Sequence, residues 1–327
     1  MLASLSKTVL HFICFTYYII LWSSIFGIIT NMYAHAAILT SIRPLGFIAA
    51  AIADKVIPVE VMLPDHASPH TYTLRPTDGL RLKKADILIW VGPELESFLS
   101  GLTFSLPTKR CITLSKEKRI IPLLKKSRLN TYKYSLSDIN QNYNFGHQHG
   151  KYDMHLWLSP IIAEHIAQII YEHLLELIPT QKKLLDENLQ IFKNLLIENN
   201  KKIANILSPV RNKGYYVLHD AYGYYEKYYG LMPLGYFSIT PEIQPGVQTL
   251  HKIRKQLIKK KAICIFSEPQ FNSASIKSVA RGQDVYIGML DPLGIDISLD
   301  KGSYMRFLLN LSKQYINCLE KTYEDDR

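Results

Sequence analysis

The 327-residue chain lacks several signatures that would assign it a chemistry at once. It has no HExxH segment, so the helical histidine pair of the common zinc hydrolases is missing. It has no phosphate-cradling P-loop pattern, so nucleotide hydrolysis has no visible home in it. Acidic residues are scarce, with 28 Asp and Glu against 38 Lys and Arg, for a formal charge of +10. Such an excess raises the question of nucleic acid. The basic stretches from Lys116 to Lys133 and from Lys252 to Lys261 accompany no zinc finger and no aromatic-rich RNA-binding strand, and read as solvated faces. No internal repeat stands out. Hydrophobic residues make up 47% of the chain, enough for a substantial core, and the length suits two domains better than one.

The first 36 residues carry one charge, Lys7, which leaves +9 (10 minus 1) for the rest. Thr8 to Thr30 contains no Asp, Glu, Lys or Arg, and Ala34–His35–Ala36 fits a small-x-small cleavage site. Residues 1–36 are therefore expected to be a signal peptide, with Ala37 as the mature N-terminus. The competing reading is an uncleaved anchor, since the apolar stretch is long enough to span a bilayer. Cys14 lacks the small residues that precede a lipidated cysteine. An exported chain keeps disulfides. Three cysteines remain after cleavage, Cys111, Cys264 and Cys318, and an odd count allows at most one internal pair.

Beyond Ala37, short apolar runs alternate with helical patterns. Ile38–Ile42, Val59–Leu63 and Ile87–Val91 read as strands, with helices over Gly46–Asp54 and Thr77–Lys84 between them. This rhythm predicts an α/β fold with parallel sheets. Asn130 to Gly150 interrupts it, rich in Asn, Tyr, Ser and Gly, and is expected to be a surface loop. A long helical pattern follows from Pro160 to Ile178, with Ser159 as N-cap and Ile162, Ile166, Ile169, Ile170, Leu174 and Leu177 on one face. After Pro179–Thr180 a second helix runs from about Gln181 to Leu207. The alternation resumes with Tyr215–Leu218, Ala262–Phe266 and Val285–Leu290 as strands.

Three histidines stand in strongly patterned segments, each after an apolar or strand-like run: His70 in Leu63–Pro64–Asp65–His66–Ala67–Ser68–Pro69–His70, His155 in Met154–His155–Leu156–Trp157, and His219 in Val217–Leu218–His219–Asp220. Imidazoles converging from distant segments suit zinc, which takes neutral nitrogen readily; manganese prefers more oxygen. Any one of the three alone reads better as a satisfied core histidine. His165 and His173 lie off the apolar stripe of their helix and, like His251, are expected to face solvent. His66 reads as a turn residue. His147 and His149, at i, i+2 spacing in the loop, are either metal-capturing groups or ordinary loop residues. Asp153, Asp220 and Glu268 are candidates to accept a ring N–H from a ligand histidine. The tyrosines Tyr222, Tyr224, Tyr225, Tyr228 and Tyr229 read as packing.

Ser41–Ile42–Arg43–Pro44, Met62–Leu63–Pro64–Asp65, Leu74–Arg75–Pro76 and Trp90–Val91–Gly92–Pro93–Glu94 are followed in order by Met154 to Pro160, His219 to Tyr224, Ser267 to Phe271 and Leu290 to Gly294. This series resembles the zinc-binding periplasmic proteins of bacterial ABC importers, the ZnuA type, over essentially the whole mature chain. The resemblance implies two (β/α) lobes, 37–158 and 179–327, joined by one rigid backbone helix over 159–178, with the metal in the cleft between them. It places the ligands at His70, His155 and His219, and a disulfide at Cys264 and Cys318. It matches 130–150 to a loop often rich in His and acidic residues, which this chain's is not. Some members carry a Glu immediately before the first histidine; here Pro69 stands there and has no side-chain donor. The fourth position then falls to water, a loop residue or Asp291, which follows an expected strand end.

The function implied is a soluble, monomeric periplasmic receptor. It would capture Zn²⁺ and deliver it to an inner-membrane ABC permease driven by a separate ATPase subunit. It would have no catalytic turnover and no nucleic-acid partner. The alternatives are a manganese or iron receptor of the same family, and a zinc hydrolase with Glu268 as general base.

Overall fold

The computed structural model describes residues 37–104, 106–107, 110–127, 151–238, 246–260 and 262–321. The expected signal peptide (1–36), the loop 130–150 and with it His147 and His149 lie outside the described residues.

Two parallel four-stranded sheets organise the chain. The first holds β1 (Ile38–Thr40), β2 (Val59–Val61), β3 (Ile87–Trp90) and β4 (Cys111–Thr113) in the order β2-β1-β3-β4. The helices α1 (Arg43–Ile52), α2 (Pro76–Lys84) and the short α3 (Ser100–Thr103) connect them. The second sheet repeats that order with β5 (Tyr215–His219), β6 (Gly235–Ser238), β7 (Cys264–Ser267) and β8 (Tyr286–Met289), arranged β6-β5-β7-β8. Its helices are α6 (Gly223–Tyr229), α7 (Val247–Lys260), α8 (Ala274–Ala280) and α9 (Ser303–Leu319), and α4 (Pro160–Leu177) and α5 (Lys182–Leu207) stand between the two sheets in sequence.

Every strand of a parallel sheet needs its own return connection, and helices on both faces bury alternate residues. Ile38, Ile87 and Ile89 point into the core shared with α1, α4, α5 and α9, whereas Leu39, Leu88 and Trp90 pack outward with Met62, Leu82 and Leu99. The second sheet divides in the same way. Tyr215, Val217 and Phe266 join the shared core, while Tyr216, Leu218 and Ile265 pack outward on Ile253, Leu257 and Ile276. One apolar cluster therefore runs continuously from one half to the other, and the rings of Phe47 and Phe307 meet across it at 5.8 Å.

The sequence reading placed the linking helix over 159–178. α4 does begin there, with Pro160 in its first turn and the Ser159 hydroxyl accepting from Ile162 N at 3.2 Å, but it packs on α1 and α5. The helix that reaches both halves is α5. Its Asn188 amide donates to the carbonyls of Ile52 and Asp54, its Asn199 amide donates to Met305 O on α9, and Asn200 Oδ1 accepts from Tyr229 on α6. Pro179 opens this rod instead of ending the previous one, because 3₁₀ turns at Pro179–Gln181 and Ser208–Val210 extend α5 at both ends.

Cys264 and Cys318 form a disulfide, tying β7 to α9 with Cα atoms 6.1 Å apart, while Cys111 remains a free thiol. The bond closes a separation of 54 residues. In the chain-entropy account it stabilises by about 4 kcal/mol. The double variant Cys264→Ala/Cys318→Ala is expected to lose stability of that order in denaturant titration, with its fold retained.

Glu96 is fully buried, and its Oε2 accepts from Val91 N at 2.7 Å and Gly92 N at 3.0 Å, fixing the turn after β3. Burial, opposed in part by these bonds, pushes its carboxyl from 4.5 up to about 7. The folded chain thus holds a proton that the unfolded chain releases above pH 4.5, so stability falls as pH rises from there to 7 and levels beyond. The loss is on the order of 3 kcal/mol. Glu96→Gln keeps an acceptor for both amides, and its melting temperature is expected to change less than the wild type's between pH 4.5 and 8.

Candidate metal centre

In open parallel sheets, ligands gather beyond the carboxyl ends of the strands. His219 is the last residue of β5, Glu268 directly follows β7, and His70 lies in the turn-rich segment after β2. His155 precedes the 3₁₀ turn Leu156–Leu158 that leads into α4. These segments bring one imidazole nitrogen each from His70, His155 and His219 to within 4.8 Å of one another. Ring centroids are 5.2 to 5.7 Å apart, and the Nε2 atoms of His155 and His219 face each other at 3.3 Å.

What sits behind the rings explains how they face this way. His155 Nδ1 lies 2.8 Å from Asp153 Oδ1, and His219 Nδ1 lies 2.8 Å from Glu268 Oε1. A carboxylate only accepts, so each Nδ1 carries a hydrogen toward it and each Nε2 is turned inward. Asp153 is itself held: the same Oδ1 accepts from His155 N at 3.0 Å. Glu268 is 3% exposed and lies against Tyr222, whose hydroxyl is raised well above its ordinary pKa by burial and then by this carboxylate. Of the three carboxylates singled out in the sequence, Asp153 and Glu268 orient the histidines.

Both halves contribute to the walls. Trp157 packs its ring 5.3 Å from that of His155, and Phe271 stands 6.2 Å from His219. Trp157 Nε1 donates to Pro292 O at 2.7 Å, and Tyr304 returns a hydrogen bond to Trp157 O at 2.7 Å. The pocket has room for one ion or water, about 10 Å³. Arg43 locks the rim from the other side. It pairs with Asp65 at 2.9 Å, on the segment leading to His70, and donates to the carbonyls of Gly294 and Ile297. Gly294 is in the left-handed region (φ 67°), and a Cβ there would stand 2.8 Å from the Phe47 ring, so glycine is required.

Asp291 does not join the histidines. Its Oδ1 accepts from Leu293 N at 3.0 Å and from Gln270 Nε2 at 3.2 Å, and its Oδ2 accepts from Ile295 N at 2.7 Å. Its position beyond β8 suggested a ligand; the backbone amides of the following turn take up the carboxylate. His66 is exposed at φ 64°, as a turn residue. His251 is exposed, and His165 and His173 are half-buried, with His173 Nδ1 3.0 Å from Ile169 O. Of the tyrosines, Tyr222, Tyr225 and Tyr229 are buried packing residues, but Tyr224 does more than pack. Its hydroxyl accepts from Lys125 N and donates to Asp153 O, both at 2.9 Å. It thereby joins the two chain segments that flank residues 128–150. Those segments are also bonded to each other, Ser127 N to Lys151 O at 3.1 Å and Asp153 N to Lys125 O at 2.8 Å. Sequence reading missed Tyr224 and Gln270 as parts of the site, since neither has a spacing signal.

Two halves sharing one core, with a three-imidazole site between them, define a two-lobed α/β protein with an ion-sized pocket lined by histidine. Residues 38–318 match the family described as the periplasmic component A of the zinc-uptake complex, ZnuA, and the chain belongs to that family. It is 52% identical over 293 residues to the high-affinity zinc uptake system protein ZnuA of Yersinia pestis, covering 88% of this chain and 92% of that one. It is 41% identical over 289 residues to the protein of the same name from Buchnera aphidicola, covering 88% and 91%. Among solved structures, a crystal structure of ZnuA superposes with a TM-score of 0.71 at 22% identity, over 87% of this chain and 99% of that one. The periplasmic zinc binding protein TroA of Treponema pallidum does so with a TM-score of 0.69 at 18% identity, over 87% and 99%. These superpositions show the fold.

Removing the carboxylate behind either histidine leaves its ring free to rotate and to change tautomer. Asp153→Ala and Glu268→Ala are each expected to lower zinc affinity by roughly 10- to 100-fold while leaving the stoichiometry at one, as read by competition with a chromogenic chelator.

Proposed function

We propose that this protein is a periplasmic receptor that binds one Zn²⁺ through His70, His155 and His219 and delivers it to an inner-membrane ABC permease powered by a separate ATPase subunit. The observation that carries this reading is the convergence of three imidazoles, two of them held from behind with Nε2 turned inward, in a pocket sized for an ion. An all-nitrogen set favours zinc over manganese or iron, and the commitment of both Asp291 oxygens to the turn removes the carboxylate that a harder ion would draw on. The family to which the chain belongs argues for cargo over catalysis. Zinc is here the transported species. The reading includes export with loss of residues 1–36 and action as a monomer.

The test is a zinc titration of the chain from Ala37 to Arg327 beside its His155→Ala and His219→Ala variants. One tightly held zinc that survives excess manganese is expected for the wild type, with affinity at least tenfold lower in each variant and melting temperatures preserved. Zinc binding that the variants leave unchanged would remove the site. Asp291→Ala is expected to weaken zinc less than either histidine variant, because it acts on the pocket through Gln270 and the turn; a loss equal to theirs would make it a ligand.

A further inference from the structure

We propose that Gln270 holds the water that completes the metal's coordination shell, its side-chain carbonyl oxygen accepting a hydrogen from that water. The inference rests on the zinc reading above and concerns the one position that the three histidines leave open. Zinc in a protein takes four ligands in a tetrahedron, and the described residues bring only the three imidazoles together. Pro69, next to His70, has no side-chain donor atom, and Asp291 spends both oxygens on its own turn and on Gln270.

Gln270 lines the same pocket as the three imidazoles. Its amide can sit only one way round. Asp291 is a pure acceptor, so the amide must offer Nε2 to it, as it does at 3.2 Å. The carbonyl oxygen is thereby turned away from Asp291. That Oε1 is sealed from solvent and has no hydrogen-bond partner among the described residues. A buried acceptor beside a metal site calls for a donor, and a metal-bound water is a strong one because the ion polarises its O–H bonds. Asp291 thus acts at one remove: it fixes the amide, and the amide fixes the water.

The chemistry has a consequence for release. A neutral amide oxygen steadies a water without drawing a proton from it as strongly as a carboxylate would. The fourth position is then filled by a small molecule and not by a side chain, and an incoming donor can take that place without displacing a residue of the protein.

The test uses the chain from Ala37 to Arg327, loaded with zinc for affinity and with cobalt(II) for spectroscopy, as wild type, Gln270→Leu and Asp291→Ala. The wild type is expected to show three imidazole nitrogens and one oxygen around the metal by X-ray absorption, with cobalt resonance lines broadened in ¹⁷O-enriched water. Gln270→Leu is expected to lower zinc affinity about tenfold, to shift the cobalt visible bands and to change the ¹⁷O broadening, with its melting temperature retained. Asp291→Ala, which frees the amide to rotate, should shift the bands in the same direction with a smaller loss of affinity. One tight zinc in the wild type, with affinity and spectrum unchanged in Gln270→Leu, would overturn this inference and leave the receptor reading standing. A loss of affinity without spectral change would also overturn it, as the mark of a packing role. A wild type that holds no zinc would remove the receptor reading, and this inference with it.

Discussion

The single apolar core shared by the two halves is the constraint on which the rest depends. Had each sheet closed a core of its own, the three histidines would ride on bodies free to move apart. Instead α1 and α9 meet through Phe47 and Phe307, and α5 carries side-chain amides to backbone carbonyls of both halves. Close-packed interiors do not deform continuously, so the distance between β5 and the segment after β2 is set by packing throughout the molecule. Arg43, Trp157, Tyr224 and Tyr304 add hydrogen bonds across the same boundary, each ending on a backbone carbonyl.

On that frame the site needs little more than orientation. The Nε2 atoms of His155 and His219 stand 3.3 Å apart, and Asp153 and Glu268 fix the two rings from behind. The cost of arranging the ligands is met in folding and is offset by the ion when it binds.

Much of this was legible in the sequence. The strand β3 is a continuous apolar run and β1, β5 and β7 are mostly apolar, His219 ends β5, and His70 and His155 stand in segments with strong local pattern. What escaped was set by tertiary context. β4 (Cys-Ile-Thr) and β6 (Gly-Tyr-Phe-Ser) are too short and mixed to announce themselves, and they exist because a neighbouring edge is there to pair with. The spanning role of α5 was assigned to α4 because Pro179 reads equally as a stop and as a start. Asp291 was placed correctly beyond a strand, but no pattern tells whether a carboxylate faces an ion or the amides of its own turn. Tyr224 and Gln270 matter through single atoms, and single atoms leave no periodicity.

The bonded stems on either side of residues 128–150 have a consequence for how such a protein changes over time. Ser127 and Lys151 are bonded to each other, and one tyrosine hydroxyl fastens both stems beside Asp153. Whatever connects them begins and ends at a fixed gate, so insertions, deletions or changes of charge in the connection are decoupled from the geometry of His155 two residues further on. The architecture leaves that stretch free to change in length and composition without moving the pocket.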